Sequence, residues 1–419
     1  MPKIGITLRI LLLTQWFDPE PTAKGMLFAR QLRELGHEVE VITGFPNYPE
    51  GRIYPGYRQS WRQREVIDGV QLVRVPLYAS HDSSAVKRLL NYFSFALTSC
   101  LYGVFMSRKA DVIYVYHPPM TVGLSGALIG WLRRTPFVYD VQDLWPDTLR
   151  ATGMISNVRA LKIVGAVCNW IYRRASHIVV LSPGFRSLLE ERGVPAEKIS
   201  LIYNWCDETT LRAPTAGTCD LSFLDDRFNV VFAGNMGKAQ ALQAVLAAAA
   251  LVAQQNKRVQ FVFVGGGTEV SALEQQCASS NLENVRFVPR MPMEQVGQLL
   301  ARADALLVHL RDDPLFAITI PSKTQAYLAM GKPIIMAVRG DAANLVRQAG
   351  AGLEAEPENP TSIAQAVLSL ANMPLQERDA MGRQAMQYYR DHLSLQVGVS
   401  AFIKVFTQIL SPNKRRRQG

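Results

Sequence analysis

The 419-residue chain is poor in cysteine, in charge and in ligand-type spacing, and each shortage removes a class of protein. Five cysteines (Cys100, Cys168, Cys206, Cys219, Cys277) are scattered, odd in number and without a CxxC pair. They argue against a disulfide-built mini-fold and a zinc cluster, and they fit a reducing compartment. Six histidines show no HxxxH spacing, and no metal is expected. Charged residues make up only 19% against 48% hydrophobic, a balance that excludes a disordered chain. Glycine (29) and proline (23) are ordinary, so collagen-like and low-complexity readings drop out. No RNP-type, helix-turn-helix or zinc-finger pattern occurs, and nucleic acid is set aside as a partner. Arg9 interrupts the first apolar run and no small-residue cleavage site follows, which predicts a cytoplasmic location.

What is present is positive charge: 45 Lys and Arg against 35 Asp and Glu, a net +10 that suggests an anionic partner. The excess is uneven. Residues 51–174 hold 16 bases and 7 acids, whereas residues 211–413 hold 17 of each, and Lys414, Arg415, Arg416 and Arg417 end the chain. The surplus reads either as a solvated face or as attraction to an anionic membrane surface, worth about 1 kcal/mol per basic side chain. Residues 89–107 carry no charge and lie between Lys87, Arg88 and Arg108, Lys109. The length nearly spans a bilayer, but Asn91, Ser94, Thr98 and Ser99 dilute it and both flanks are basic. A helix in the membrane interface and a helix packed on a parallel sheet both fit, since they use the same apolar face. The basic tail would reinforce a membrane contact or form a disordered end.

Short apolar runs alternate with helical patterns almost end to end, which predicts α/β architecture with parallel sheets. One series of strands starts at Arg9 and ends near residue 202; a second runs from Phe228 to about Gly352. Between them lie Pro214, Thr215, Gly217 and Thr218, a linker composition. The economical reading is two Rossmann-like domains with a ligand cleft between them. The boundaries are 1–207 for the N-terminal domain, 208–226 for the linker, 227–392 for the C-terminal domain, then a helix at 393–411 and a basic tail at 412–419.

Gly234, Asn235, Met236, Gly237 and Lys238 sit at the turn from the second series' first strand into its first helix. Such a turn brings backbone amides and a helix N-terminus to a phosphate, with Lys238 adding charge; otherwise it is a tight turn with a solvated lysine. It is not a Walker loop, because GxxxxGK[ST] is absent. Gly265, Gly266 and Gly267 suit close approach to a nucleobase or sugar, or a plain turn. Pro321, Ser322, Lys323 and Thr324 open a helix, with Ser322 either a simple N-cap or part of a second phosphate contact. Two lysines with two helix N-termini fit a diphosphate. In the first series Asp140, Asp143 and Asp147 follow a strand toward the expected cleft, Asp143 being favoured for a role at the site. His117 ends another strand and is either structural or a ligand contact, and Thr22, Lys24 and Gly25 form the loop after the first strand.

These fragments carry a resemblance: GHEVEVIT at 36–43, DLWP at 143–146, YNWCD at 203–207, FAGNMG at 232–237, FVGGG at 263–267 and AMGKP at 329–333. In this order and spacing the chain resembles the GT-B glycosyltransferases of family 4 over essentially its full length. The GNMGK and PSK pieces look most like the WbuB-like branch, whose members build bacterial surface polysaccharides. The resemblance implies a retaining transfer from a nucleotide-diphosphate sugar without a metal ion or other cofactor. It also implies donor binding by the second domain, acceptor binding by the first, and a last helix crossing back to the first. Donor contacts would then fall to Gly234, Asn235, Gly237, Lys238, Gly266, Gly267, Pro321, Ser322, Lys323 and Thr324. Acceptor contacts would fall to Thr22, Lys24, Gly25 and His117, and catalytic roles to Lys238, Gln142 and Asp143.

Three departures accompany the likeness. The family's paired glutamates would fall at Ile318 and Ala326, with Asp312 and Asp313 near but out of register. Its histidine before the DLW run is Gln142, which hydrogen-bonds but does not take a proton at neutral pH. Its double glycine is replaced by Ala23, Lys24 and Gly25. The expectation is a membrane-associated enzyme at the inner face of the cytoplasmic membrane, acting on a polyprenyl-diphosphate-linked saccharide acceptor. The rival readings are a nucleotide-sugar epimerase of two Rossmann domains and a catalytically silent subunit.

Overall fold

The computed structural model describes residues 7–80, 85–151, 154–155, 157–213 and 220–411. The basic tail and part of the expected linker (residues 214–219) lie outside them. The chain forms two compact units, one of residues up to Tyr203 together with those from Gly398, the other Asn204–Val397.

The first unit is built on eight strands: β1 Arg9–Leu13, β2 Glu38–Gly44, β3 Gln63–Ile67, β4 Val70–Val75, β5 Val112–Tyr116, β6 Phe137–Val141, β7 His177–Val180 and β8 Ile199–Leu201. Their order is β3-β4-β2-β1-β5-β6-β7-β8, all parallel except the antiparallel β3–β4 pair. Strands such as β5, buried at every position, explain the unbroken apolar runs, since a parallel sheet is covered on both faces. β3 is the strand that the expected series lacks. It is a half-exposed edge with few apolar residues, joined to β4 through Asp68 and Gly69, both at positive φ. That Asp-Gly pair is the hairpin signal in the sequence.

Right-handed crossovers decide which face each helix covers. The connections β4 to β5, β5 to β6 and β6 to β7 all step the same way along the sheet. Helices Ala85–Phe105, Thr121–Arg133 and Val158–Arg174 therefore share one face, whereas Met26–Glu34, between β1 and β2, covers the other. The last helix, Leu395–Leu410, crosses back to join Met26–Glu34, its Phe402 ring 5.2 Å from Phe28 and 5.3 Å from Tyr114. The stretch Leu375–Leu410 is long and apolar enough to cross a membrane. It is, however, two helices, and Val399, Phe402, Ile403, Val405 and Phe406 of the second are core.

The second unit has six parallel strands: β9 Phe228–Asn235, β10 Val259–Gly266, β11 Val285–Pro289, β12 Ala305–His309, β13 Ile334–Ala337 and β14 Gly352–Glu354. Their order is β11-β10-β9-β12-β13-β14. Part of the expected linker is integral to this unit. Glu208–Leu211 is helical and capped by Asp207, and Arg212 donates to the Ala329 carbonyl at 2.7 Å. Close packing fixes it there, because a Cβ on Gly297 would meet the Leu211 carbonyl oxygen at 1.9 Å.

Candidate active site

In the second unit the site begins where β9 and β10 end side by side, Gly234 opposite Gly265 and Asn235 opposite Gly266. Gly265 has φ +135°, and a Cβ there would lie 2.1 Å from the Gly234 carbonyl oxygen. Gly267, at φ +156°, would likewise strike the Met236 carbonyl at 2.2 Å. Glycine is thus demanded by the approach of two backbones, held by the Met236 amide donating to Gly266 at 2.8 Å. Beyond them Gly237 donates to the Gln240 side chain at 3.0 Å and leads into the short turn Lys238–Gln240. Asn235 and Lys238 are exposed.

Lys323 approaches the same strand end from the helix Ser322–Met330. Its Nζ lies 3.3 Å from the centre of the Phe232 ring and about where a side chain on Gly234 would reach, 3.4 Å from its Cβ position. This amine is buried and has no hydrogen-bond partner among the described residues. Burial holds its pKa down to about 7. The Thr324 hydroxyl one residue on is likewise buried without a partner. Ser322 is not the cap: Pro321 occupies the N-cap position and no side chain caps this helix, the Thr324 amide donating instead to the Pro321 carbonyl at 2.9 Å.

Sequence reasoning passed over His309, at the end of β12. Its ring joins two loops, Nδ1 lying 2.6 Å from the Gln240 carbonyl while Nε2 accepts from the Glu358 amide at 3.0 Å. Burial lowers its pKa, so the ring is neutral and donates through Nδ1. A histidine closing a buried strand was the available signal. Ile318 and Ala326 leave the positions of the family's glutamates apolar. Neither neighbouring aspartate replaces them, because Asp313 caps the helix Pro314–Ala317 and Asp312 is bonded to Arg339 at 3.1 Å.

In the first unit the ends of β5 and β6 bring His117 and Asp143 together. His117 is buried, its pKa held down to about 3, and its Nδ1 accepts the Asp143 backbone amide at 3.3 Å. Burial pushes the Asp143 carboxyl up to about 6. Trp145 stands edge-on to His117, ring centres 6.0 Å apart. Gln142 donates to Asp140 at 2.6 Å, and Asp147 is paired with Arg192.

Two expected acceptor contacts are corrected here. Lys24 is fully buried and paired with Asp140 at 2.6 Å, a carboxylate that also accepts from Tyr114 at 2.5 Å. Its stem runs inward because the amine finds Asp140 and the Phe402 ring, 4.9 Å away. Gly25 precedes the helix Met26–Glu34, whose first amide is already taken by Asp18 at 2.6 Å. A Cβ at Gly25 would collide with that carboxylate at 2.1 Å, so this glycine serves the cap. Thr22 remains half-buried on the loop.

Two parallel nucleotide-type units in one chain, the second with a glycine turn beside an unpaired amine, are the architecture of the GT-B glycosyltransferases. The comparisons agree. The model of the glycosyl transferase 4-like domain matches residues 26–205, and that of the glycosyl transferases group 1 matches residues 227–373. Probable glycosyltransferase WbjE of Pseudomonas aeruginosa is 24% identical, over 73% of this chain and 76% of its own. Putative colanic acid biosynthesis glycosyl transferase WcaI of Escherichia coli is 26% identical, over 77% and 82%. Among solved structures, Anabaena HepE in complex with UDP-glucose superposes with a TM-score of 0.68 at 17% identity, covering 96% of this chain and all (100%) of that one. The chain belongs to the GT-B glycosyltransferases of family 4.

Proposed function

We propose that this glycosyltransferase moves a sugar, with retention of configuration, from a nucleotide-diphosphate sugar to a polyprenyl-diphosphate-linked acceptor. The setting is the assembly of a bacterial surface polysaccharide at the inner face of the cytoplasmic membrane. The relative described as a colanic acid enzyme and the UDP-glucose complex of HepE support the pathway class and the donor class.

The observation that carries the reading is the buried, unpartnered Lys323 amine at the end of β9. Leaving a polar group unpaired in a protein interior is costly, and such a group awaits a partner. A donor diphosphate supplies oxygens for it, for the helix start at Ser322–Met330, which no side chain caps, and for exposed Lys238. As the glycosidic carbon–oxygen bond breaks, negative charge grows on the departing phosphate, and these donors stabilise it. Two amines and backbone amides carry that charge, so the reading needs no metal. In the other unit Asp143, its carboxyl held near neutrality, is suited to accept a proton from the acceptor hydroxyl. Gln142 and His117 set the position of its loop.

Calorimetric titration with a panel of nucleotide sugars tests the donor site. Lys323→Met is expected to weaken the accepted donor about a hundredfold while the protein stays folded. Wild-type affinity in that variant would remove Lys323 from the mechanism. Mass spectrometry of lipid-linked products tests the acceptor.

A further inference from the structure

The helix Ala85–Phe105 has two apolar faces where a soluble protein needs one. Tyr92, Phe95, Ala96, Ser99 and Tyr102 are buried toward the rest of the unit. A second stripe at helical spacing, Leu90, Phe93, Leu97, Leu101 and Phe105, is exposed, Leu97 by 62% and Phe105 by 77%. Thr121–Arg133 lies against it, Ser125 donating to the Ala96 carbonyl at 2.7 Å, and adds Leu128, Trp131 (66% exposed) and Leu132. Val158–Arg174, third in the same layer, adds Val158 and Ile163.

None of these three helices contains an aspartate or glutamate. The exposed bases on these helices or next to their ends are Lys87, Arg108, Lys109, Arg134, Arg159, Lys162, Arg173 and Arg174. The next helix of the layer, Pro183–Glu191, carries Glu190 and Glu191 and exposes no large apolar side chain, which bounds the face. Glu40, which accepts the Arg108 amide at 2.9 Å, and Asp111 lie at one end, so the edge is predominantly basic, and apolar side chains with such an edge match the boundary between acyl chains and anionic head groups. A second copy of the chain would bring like charges together.

We infer that the face formed by Ala85–Phe105, Thr121–Arg133 and Val158–Arg174 docks on an anionic lipid surface, with the helices lying in the interface. This rests on the reading of a lipid-linked acceptor and gives it a geometry. Asn91 ties the first of these helices to the ends of the strands, accepting from Gln15 at 2.6 Å and donating to the Tyr78 carbonyl at 2.8 Å. Tyr92 then packs on Trp145, ring centres 6.3 Å apart, next to His117 and Asp143. A diphosphate-linked acceptor held in the interface therefore meets the half-site at the edge of the docked face.

The test is flotation of the full chain with phosphatidylglycerol-containing vesicles, against phosphatidylcholine alone. Wild-type protein is expected to float with the anionic vesicles, less so at high salt. Leu97→Ser/Phe105→Ser/Trp131→Ser should reduce the bound fraction about tenfold or more, and Lys109→Glu/Arg134→Glu about tenfold. Both variants should turn over a short-chain, water-soluble acceptor at the wild-type rate, which shows that they fold. Equal flotation of the triple variant and wild type overturns the assignment. So does a wild-type dimer in the aqueous fraction that the triple variant dissociates, or binding lost only on removing residues 412–419. Intact flotation without transfer to any lipid-diphosphate acceptor would instead overturn the acceptor reading and leave the docking face standing.

Discussion

Each unit buries one lysine beside an aromatic ring, and the two teach opposite lessons. Lys24 lies 4.9 Å from the centre of Phe402 and Lys323 lies 3.3 Å from that of Phe232. Lys24 has Asp140, and Asp140 in turn has Tyr114 and Gln142, so the group is closed. Lys323 has no partner among the described residues, and its pKa is held down to about 7. A buried charge with a satisfied partner is structure. One without a partner is where the proposed donor contact falls, because an oxygen ligand would recover the hydrogen bonds that burial removed.

The largest effect that tests this contrast is on folding of the first unit. Asp140→Asn leaves the Lys24 amine buried without its counter-charge and is expected to cost about 3–5 kcal/mol in chemical denaturation. Adding Lys24→Met to it should recover part of that loss. A single variant as stable as wild type would mean that Lys24 escapes to solvent and is open to an acceptor after all. A smaller effect distinguishes the buried from the exposed lysine of the proposed donor half-site. Lys238→Ala is expected to weaken donor binding about tenfold, with a loss that shrinks at high salt, since an exposed charge is screened. The Lys323→Met loss should persist in the same salt series. If the two variants respond alike to salt, the distinction between them fails.

The alternation of strand and helix, the glycine turn and the helix start at residues 321–324 were legible because each is local. A run such as residues 112–116 announces a covered strand, and Gly265 and Gly267 mark close backbone approach. The edge strand Gln63–Ile67 was harder, since half-exposed pairing leaves few apolar residues to see. What the order of residues did not disclose is where a long side chain turns. Lys24 finds its partner 116 residues away, and Asp18 reaches the amide of Met26 beside Gly25, which was expected to touch the acceptor. Ser322 looks like a cap but is displaced by Pro321 one position earlier. For Lys24 the deciding group comes from another part of the fold, so propensity and spacing carry no trace of it.

The smallest expected effect is pH dependence, and it isolates Lys323. An ordinary lysine holds its proton to about pH 10.4, whereas this one releases it near 7 in the folded protein. Between those values the unfolded chain binds the proton and the folded chain does not, so its contribution to stability rises with pH and is fully unfavourable below 7. Donor binding runs the other way, because the diphosphate wants the ammonium form. Affinity should fall about fivefold from pH 7 to pH 8, as the charged fraction drops, and binding at pH 8 should take up about one proton. His309, whose charge faces the same amine, is already neutral there, its pKa being lowered by burial. The diphosphate of a nucleotide sugar stays ionised across this range, so neither group supplies the slope. Titration calorimetry in two buffers of different ionisation enthalpy reads the uptake directly, and Lys323→Met should abolish it. A wild-type affinity that is flat from pH 7 to pH 8 would show that Lys323 keeps its proton without the donor, and the contrast with Lys24 would then lie in geometry alone.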